Sequence, residues 1–251
     1  MPSKSKIEWT EYSWNPTIGC NKISEGCKNC YAENLADLFK KRGFKNYEHG
    51  FKLKLLPEKL SDPYKLKTES IIFVNSMSDL LHEEIPDDYI KDIFRIMNST
   101  PQHTYQILTK RPSRLISLKD KVIFSDNIWL GTSIESQKHL TRFDYLSNTS
   151  SSNLFISFEP LIENIRLNAL NKLKWVIVGG ESGQKARVMK PEWVRAIKDY
   201  CQVNNIKFFF KQWGSAASNP FAKDPTKSKK HPAYARGGCL LDGKIYRECP
   251  F

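Results

Sequence analysis

Six short apolar runs recur along the chain at the spacing of strand–helix units, and this rhythm limits the fold more than any other feature. The runs are Ile71–Val74, Thr104–Leu108, Ile128–Leu130, Leu154–Ile156, Trp175–Val178 and Ile206–Phe210; their starts fall 33, 24, 26, 21 and 31 residues apart. Amphipathic stretches lie between them. Pro86–Met97 aligns Ile90, Ile93, Phe94 and Met97 on one face, and Pro191–Val203 aligns Trp193, Val194, Ile197, Tyr200 and Cys201. Strand then helix, repeated six times, predicts parallel strands with right-handed crossovers. A short first strand ending near Gly19 makes seven. Tyr31–Arg42 reads as a further helix stopped by Gly43, and 44–69 as a basic, irregular connection.

An open sheet and a barrel both fit this alternation. Polar residues after almost every strand favour the barrel: Asn75 to Asp79, Thr109 to Arg111, Thr132 to Glu135, Glu159-Pro160, Gly179 to Ser182 and Lys211 to Gly214. In a barrel all strand C-termini reach one mouth, where catalytic groups gather; an open sheet uses only those near its switch point. The expectation is an α/β chain with a parallel (β/α) barrel, partial at six or seven strands, over residues 1–214. Residues 215–251 read as a basic loop (Lys223, Lys227, Lys229, Lys230, His231) and a β-hairpin around Asp242-Gly243, packed on the same domain.

Near the start, Cys20, Cys27 and Cys30 stand in a C-x6-C-x2-C run, with Tyr31 directly after. Thiolates are soft, strong metal ligands, and a Cys-x2-Cys pair can bite one centre. Structural zinc closes its tetrahedron with four protein ligands, so three leave a position open. By spacing alone the loop is an iron–sulfur site, a zinc site completed by His49, His82 or His103, or a group of reduced thiols without metal.

At 251 residues the chain fits one large domain, and its 40% hydrophobic content suffices for a core. No apolar run approaches the roughly 20 residues of a membrane helix and no signal-peptide core follows Met1, so the expected location is the cytoplasm. Six cysteines there are not a disulfide framework. The net charge of +12 favours a polyanionic partner, nucleic acid or a phosphorylated substrate, although scattered lysines also arise from compositional bias.

A cysteine-rich loop after the first strand of such a barrel resembles the radical S-adenosylmethionine enzymes. The whole chain is similar to a phage- and prophage-associated three-cysteine-motif family of radical-SAM-like proteins. The likeness runs through Trp14 to Thr17, Gly19-Cys20, Gly26 to Glu33, Ser76 to Asp79, Leu108 to Pro112, Phe158 to Leu161, Val178 to Gly183 and Phe210 to Gly214. It implies that Cys20, Cys27 and Cys30 hold a [4Fe–4S] cluster whose open iron takes S-adenosylmethionine. Reduction would then release a 5′-deoxyadenosyl radical, with a flavodoxin or ferredoxin as electron donor. The phage setting further implies action on a nucleic-acid base or modified nucleotide. Two departures stand out: the superfamily spacing is C-x3-C-x2-C, and its Gly-Gly-Glu, usually after the second strand, occurs here only at Gly179 to Glu181.

On that resemblance the methionine end of the cofactor falls to Asn75, Ser76, Ser78 and Asp79, and the ribose to Ser133 and Glu135. Gly179 and Gly180 allow close backbone approach to an adenine or ribose, with Glu181 beside them. Glu159 is either a cofactor or substrate ligand or the partner of a mouth lysine. Lys110, Arg111 and Lys211 either bind carboxylate or phosphate or neutralise Asp79, Glu159 and Glu181; Lys110, Glu159 and Lys211 are the candidate catalytic groups. His82, His103 and Cys201 read as structural, and Trp14 and Trp213 as buried packing. The rival reading is a zinc-stabilised nucleic-acid-binding or adaptor protein without catalysis.

Overall fold

The computed structural model describes residues 1–220, 222 and 237–251. The expected basic loop from Lys223 to His231 lies outside the described residues. The chain forms two compact units. The first comprises Met1–Ile23, Cys30–Thr132 and Arg142–Leu154; the second comprises Ser24–Asn29, Ser133–Thr141 and Phe155–Phe251.

The strands are β1 (Ser3–Lys4), β2 (Tyr12–Trp14), β3 (Thr17–Ile18), β4 (Lys54–Leu55), β5 (Ile71–Val74), β6 (Thr104–Thr109), β7 (Ile128–Ser133), β8 (Leu154–Phe158), β9 (Leu173–Gly179) and β10 (Lys207–Gln212). The helices are α1 (Tyr31–Lys41), α2 (Asp87–Ser99), α3 (Leu115–Leu118), α4 (Arg142–Ser147) and α5 (Pro191–Val203).

In the first unit the strand order is β1-β2-β5-β6-β7. The pairs β2–β5, β5–β6 and β6–β7 are parallel, whereas β1 is antiparallel to β2. Ile72, Val74, Tyr105, Ile107 and Leu130 are fully buried there, each such aliphatic side chain stabilising by about 1.5–3 kcal/mol. α2 buries Ile90, Ile93, Phe94 and Met97, the face its spacing predicts. α1 buries Ala32 and Ala36 against Ile18, Leu56 and Met77.

In the second unit the order is β8-β9-β10, and β9–β10 is parallel. α5 buries Val194, Ile197 and Cys201. The outer edge of β10 is covered by the C-terminal segment: Phe210 N–H donates to Tyr246 O at 2.8 Å and Glu248 N–H to Phe208 O at 3.2 Å, satisfying backbone groups that an open edge exposes. Asp242 and Gly243, both at positive φ, form a tight turn closed by paired hydrogen bonds between Leu241 and Lys244.

The mixed parallel and antiparallel strands, alternating with helices, form a partial (β/α) barrel-like fold. Two expectations change. The first parallel strand is Tyr12–Trp14 and stops well before Gly19, because Pro16 has no N–H to donate; the next residues, β3, pair antiparallel with β4 instead. Gly19 then turns at φ +82°, where an added Cβ would lie 2.0 Å from Lys52 O. Secondly, no helix separates β8 from β9. That segment is held by Gln137, whose Oε1 accepts from Arg166 N–H at 2.7 Å and whose Nε2 donates to Arg166 O at 3.4 Å. A side chain therefore supplies partners that a helix would supply internally.

Among the described residues no helix is long and apolar enough to cross a membrane.

Candidate functional site

In the second unit, a short 3-10 turn, Glu25–Cys27, brings Glu25 to the segment after β7. That segment carries Glu135, fully buried, and His139 four residues on. His139 Nε2 lies 3.1 Å from Glu25 Oε2 and 3.5 Å from Glu135 Oε1. One ligand atom from each of the three lies within 4.8 Å of the others, a spacing able to hold a metal ion. Gly26 makes the approach possible: a Cβ there would sit 2.9 Å from Glu135 Cδ.

Glu25 is held from several sides. Ser136 Oγ donates to its Oε1 at 2.5 Å, Lys138 Nζ lies 2.9 Å from Oε2, and Arg187 Nη2 donates to its carbonyl at 2.9 Å. Partial burial works to raise the Glu25 pKa, but the hydrogen bonds from Ser136, Lys138 and His139 outweigh it and hold the carboxyl well below its usual range. The donor set is thus two oxygens and an imidazole nitrogen, which suits a borderline or hard divalent ion.

Two further carboxylates of this unit are paired. Glu181 receives Arg187 in a fork, Nη2 to Oε1 at 2.5 Å and Nε to Oε2 at 2.9 Å. Burial opposes ionisation of Glu181, yet the Arg187 guanidinium leaves its pKa below normal. Glu159 meets Lys211 Nζ at 2.9 Å and accepts from Ser157 Oγ at 3.0 Å. The two glycines make room for protein atoms: a Cβ on Gly179 would lie 2.7 Å from Glu159 Oε1, and one on Gly180 2.0 Å from Trp213 O. Ser133 is buried at the end of β7.

In the first unit, the residues after β5 tie the N-terminal segment down. Asn75 Nδ2 donates to Thr17 Oγ1 at 2.6 Å, Ser78 Oγ to Gly19 O at 2.6 Å, and Tyr31 Oη to Ser76 O at 2.6 Å. Asp79 accepts from Thr109 Oγ1 at 2.7 Å, Lys110 N–H at 2.8 Å and Leu81 N–H at 3.0 Å. Arg111, nearly buried, donates through Nε to Glu83 Oε2 at 2.9 Å and through Nη2 to Asn21. His82 and His103 are buried, and burial lowers both pKa values. Trp14 and Trp213 are packed inside their units.

All six cysteines are thiols rather than disulfide partners. Cys20 Sγ donates to Asn21 O at 3.4 Å, and Cys27 Sγ lies 3.6 Å from Ser24 Oγ. The expectation of a [4Fe–4S] cluster on Cys20, Cys27 and Cys30 with bound S-adenosylmethionine is corrected. Among the described residues the group with metal-holding geometry is Glu25, Glu135 and His139. Carboxylates and imidazole are harder ligands than the thiolates that bind such clusters. Sequence reading missed Glu25, His139 and Arg187. The i,i+4 pair Glu135/His139 was the available signal, while Glu25 lay within a loop read for its thiols.

The fold is similar to that of spore photoproduct lyase. A tyrosine-to-phenylalanine variant of that enzyme aligns with a TM-score of 0.54 at 10% identity, over 85% of this chain and 79% of that one. A cysteine-to-alanine variant aligns at 0.54 and 12% identity, over 84% and 78%. The lyase complexed with dinucleoside spore photoproduct aligns at 0.51 and 12%, over 79% of this chain but 63% of that one. The present chain therefore spans less than two thirds of the length of that complexed lyase. No curated protein matches the sequence.

Residues 4–250 match the family described as "Protein of unknown function (DUF5131)", and the chain belongs to that family. This replaces the resemblance to a phage-associated three-cysteine-motif family, since among the described residues the group spaced so that it could hold a metal ion is Glu/Glu/His and not a triad of thiols.

Proposed function

We propose that the protein is a metal-dependent enzyme acting on a nucleic-acid base or modified nucleotide, with Glu25, Glu135 and His139 as the metal ligands. The observation that carries this reading is the convergence of their ligand atoms within 4.8 Å, one of them on a fully buried carboxylate. Two carboxylates and an imidazole are a donor set that suits a divalent ion. When bound, such an ion polarises an oxygen of the substrate or lowers the pKa of a water molecule.

The protein's own groups prepare the place. Ser136 and Lys138 orient Glu25 and keep it ionised, and Arg187 links Glu181 to the Glu25 backbone. Glu159 and Lys211, paired at 2.9 Å at the ends of β8 and β10, can hold or pass a proton in the same unit.

Two observations support a nucleic-acid substrate. The chain carries a net charge of +12, and the fold is one on which a lyase has been solved with a dinucleoside. That second support is an analogy of fold. The test is incubation of the protein with short DNA and RNA oligonucleotides and Mn²⁺ or Zn²⁺, read by mass spectrometry of the nucleosides. A metal-dependent mass change that Glu135→Gln abolishes is the expected result; unchanged nucleosides under every metal condition would overturn the reading.

A further inference from the structure

We infer that the cavity beside Lys110 and Arg111 in the first unit is a phosphate subsite for nucleic acid. It deepens the nucleic-acid reading above and rests on it for the identity of the phosphate carrier. The cavity measures about 460 Å³ and is lined by Lys110, Arg111, Ser113, Arg114 and Glu83, with Ile23 and Leu81 as its apolar wall. That volume falls in the range of small-ligand sites, roughly 300–1,000 Å³.

The cations divide into committed and available groups. Arg114 is committed, donating to His82 O, Ile85 O and Asp87 Oδ1. Arg111 is held by two of its three nitrogens, Nε on Glu83 and Nη2 on Asn21. Its third, Nη1, is buried with no hydrogen-bond partner among the described residues. A buried guanidinium N–H without an acceptor is a destabilising arrangement that an anionic oxygen relieves. Lys110 is anchored through its backbone N–H to Asp79 Oδ2 at 2.8 Å, leaving its side chain to serve the cavity.

Among the described residues the one lining carboxylate, Glu83, is more than half exposed and bonds Arg111 at the rim. It fixes the guanidinium's orientation while leaving Nη1 and the Lys110 ammonium for the ligand. The Lys110 ammonium and Arg111 Nη1, with a hydroxyl from Ser113, select a phosphate group. Ile23 and Leu81 offer apolar surface to the sugar or base attached to it.

The test uses the full-length protein and two probes. One is a fluorescent single-stranded oligodeoxynucleotide, titrated by anisotropy over a salt series; the other is inorganic phosphate, titrated by calorimetry. Lys110→Gln is the primary variant because it keeps the backbone bond to Asp79. Arg111→Lys, monitored by circular dichroism for folding, is the second. Expected are about tenfold weaker oligonucleotide binding for Lys110→Gln and a salt slope shallower by about 0.7, the value for one phosphate contact on a single strand. Oligonucleotide binding that Lys110→Gln leaves unchanged in affinity and slope overturns the subsite but not the nucleic-acid reading. Lys110-dependent binding of inorganic phosphate without oligonucleotide binding supports the subsite and overturns the nucleic-acid reading. No binding of either probe by the wild type overturns both.

Discussion

Glu181 and Arg187 meet in a fork, with Arg187 Nη2 2.5 Å from Glu181 Oε1 and Nε 2.9 Å from Oε2, while the same guanidinium donates to the Glu25 carbonyl. One arginine thus fixes the turn that presents Glu25. Removing it should release that turn. Arg187→Gln should lower metal affinity without removing a ligand, as loss of an outer-shell partner does by about 10–100-fold elsewhere. Calorimetry of the folded variant checks this; unchanged affinity would show that the turn holds by itself.

Acid sensitivity follows from the same residues. The Glu25 and Glu181 carboxyls both titrate below their usual value of 4.5 in the folded protein. Each contributes stability that is present above the unfolded pKa and lost as the pH falls through the folded one. Urea denaturation of the metal-free protein should therefore show falling stability below about pH 4.5, and Glu25→Gln should flatten part of that limb. A Glu25→Gln profile parallel to the wild type throughout would contradict the assignment.

Two glycines should respond differently to alanine. At Gly180 the new Cβ would lie 2.0 Å from Trp213 O, a backbone atom that cannot swing away; at Gly43, φ +74°, nothing lies within 4 Å. Gly43→Ala should cost about 1–2 kcal/mol for its left-handed backbone, and Gly180→Ala clearly more. Equal midpoints in thermal denaturation would show that β9 and the turn after β10 are looser than they stand here.

Thiol reactivity should follow burial. Burial pushes the Cys201 thiol up to about 12, and thiolates are the reactive species. In a timed alkylation read by mass spectrometry, exposed Cys249 and half-buried Cys20, Cys27 and Cys30 should label in the native protein. Cys201 should label only on unfolding. Early labelling of Cys201 would place α5 in an open state.

The strands and long helices were legible because burial imposes a period that sequence records directly. All six apolar runs became strands, and Pro191–Val203 matches α5 at both ends. What sequence hid was pairing across distance. Nothing local to Arg187 announces a fork with Glu181, and the space at Gly26 and Gly179 has meaning only once Glu135 and Glu159 fill it. The missing helix before β9 failed for the same reason: Gln137, far away in sequence, supplies the partners of Arg166. The cysteines misled because spacing reports which thiols are near in the chain, and the metal-holding geometry was built by carboxylates and a histidine from two segments.

The most direct measurement is titration calorimetry of metal-stripped protein with Mn²⁺ and Zn²⁺, in parallel with Glu135→Gln and His139→Ala. One ion should bind per chain at the Glu25–Glu135–His139 group, and each variant should lose about tenfold or more in affinity, since each removes a ligand outright. Wild-type protein that binds neither ion, or variants that bind as tightly as the wild type, would contradict the metal centre.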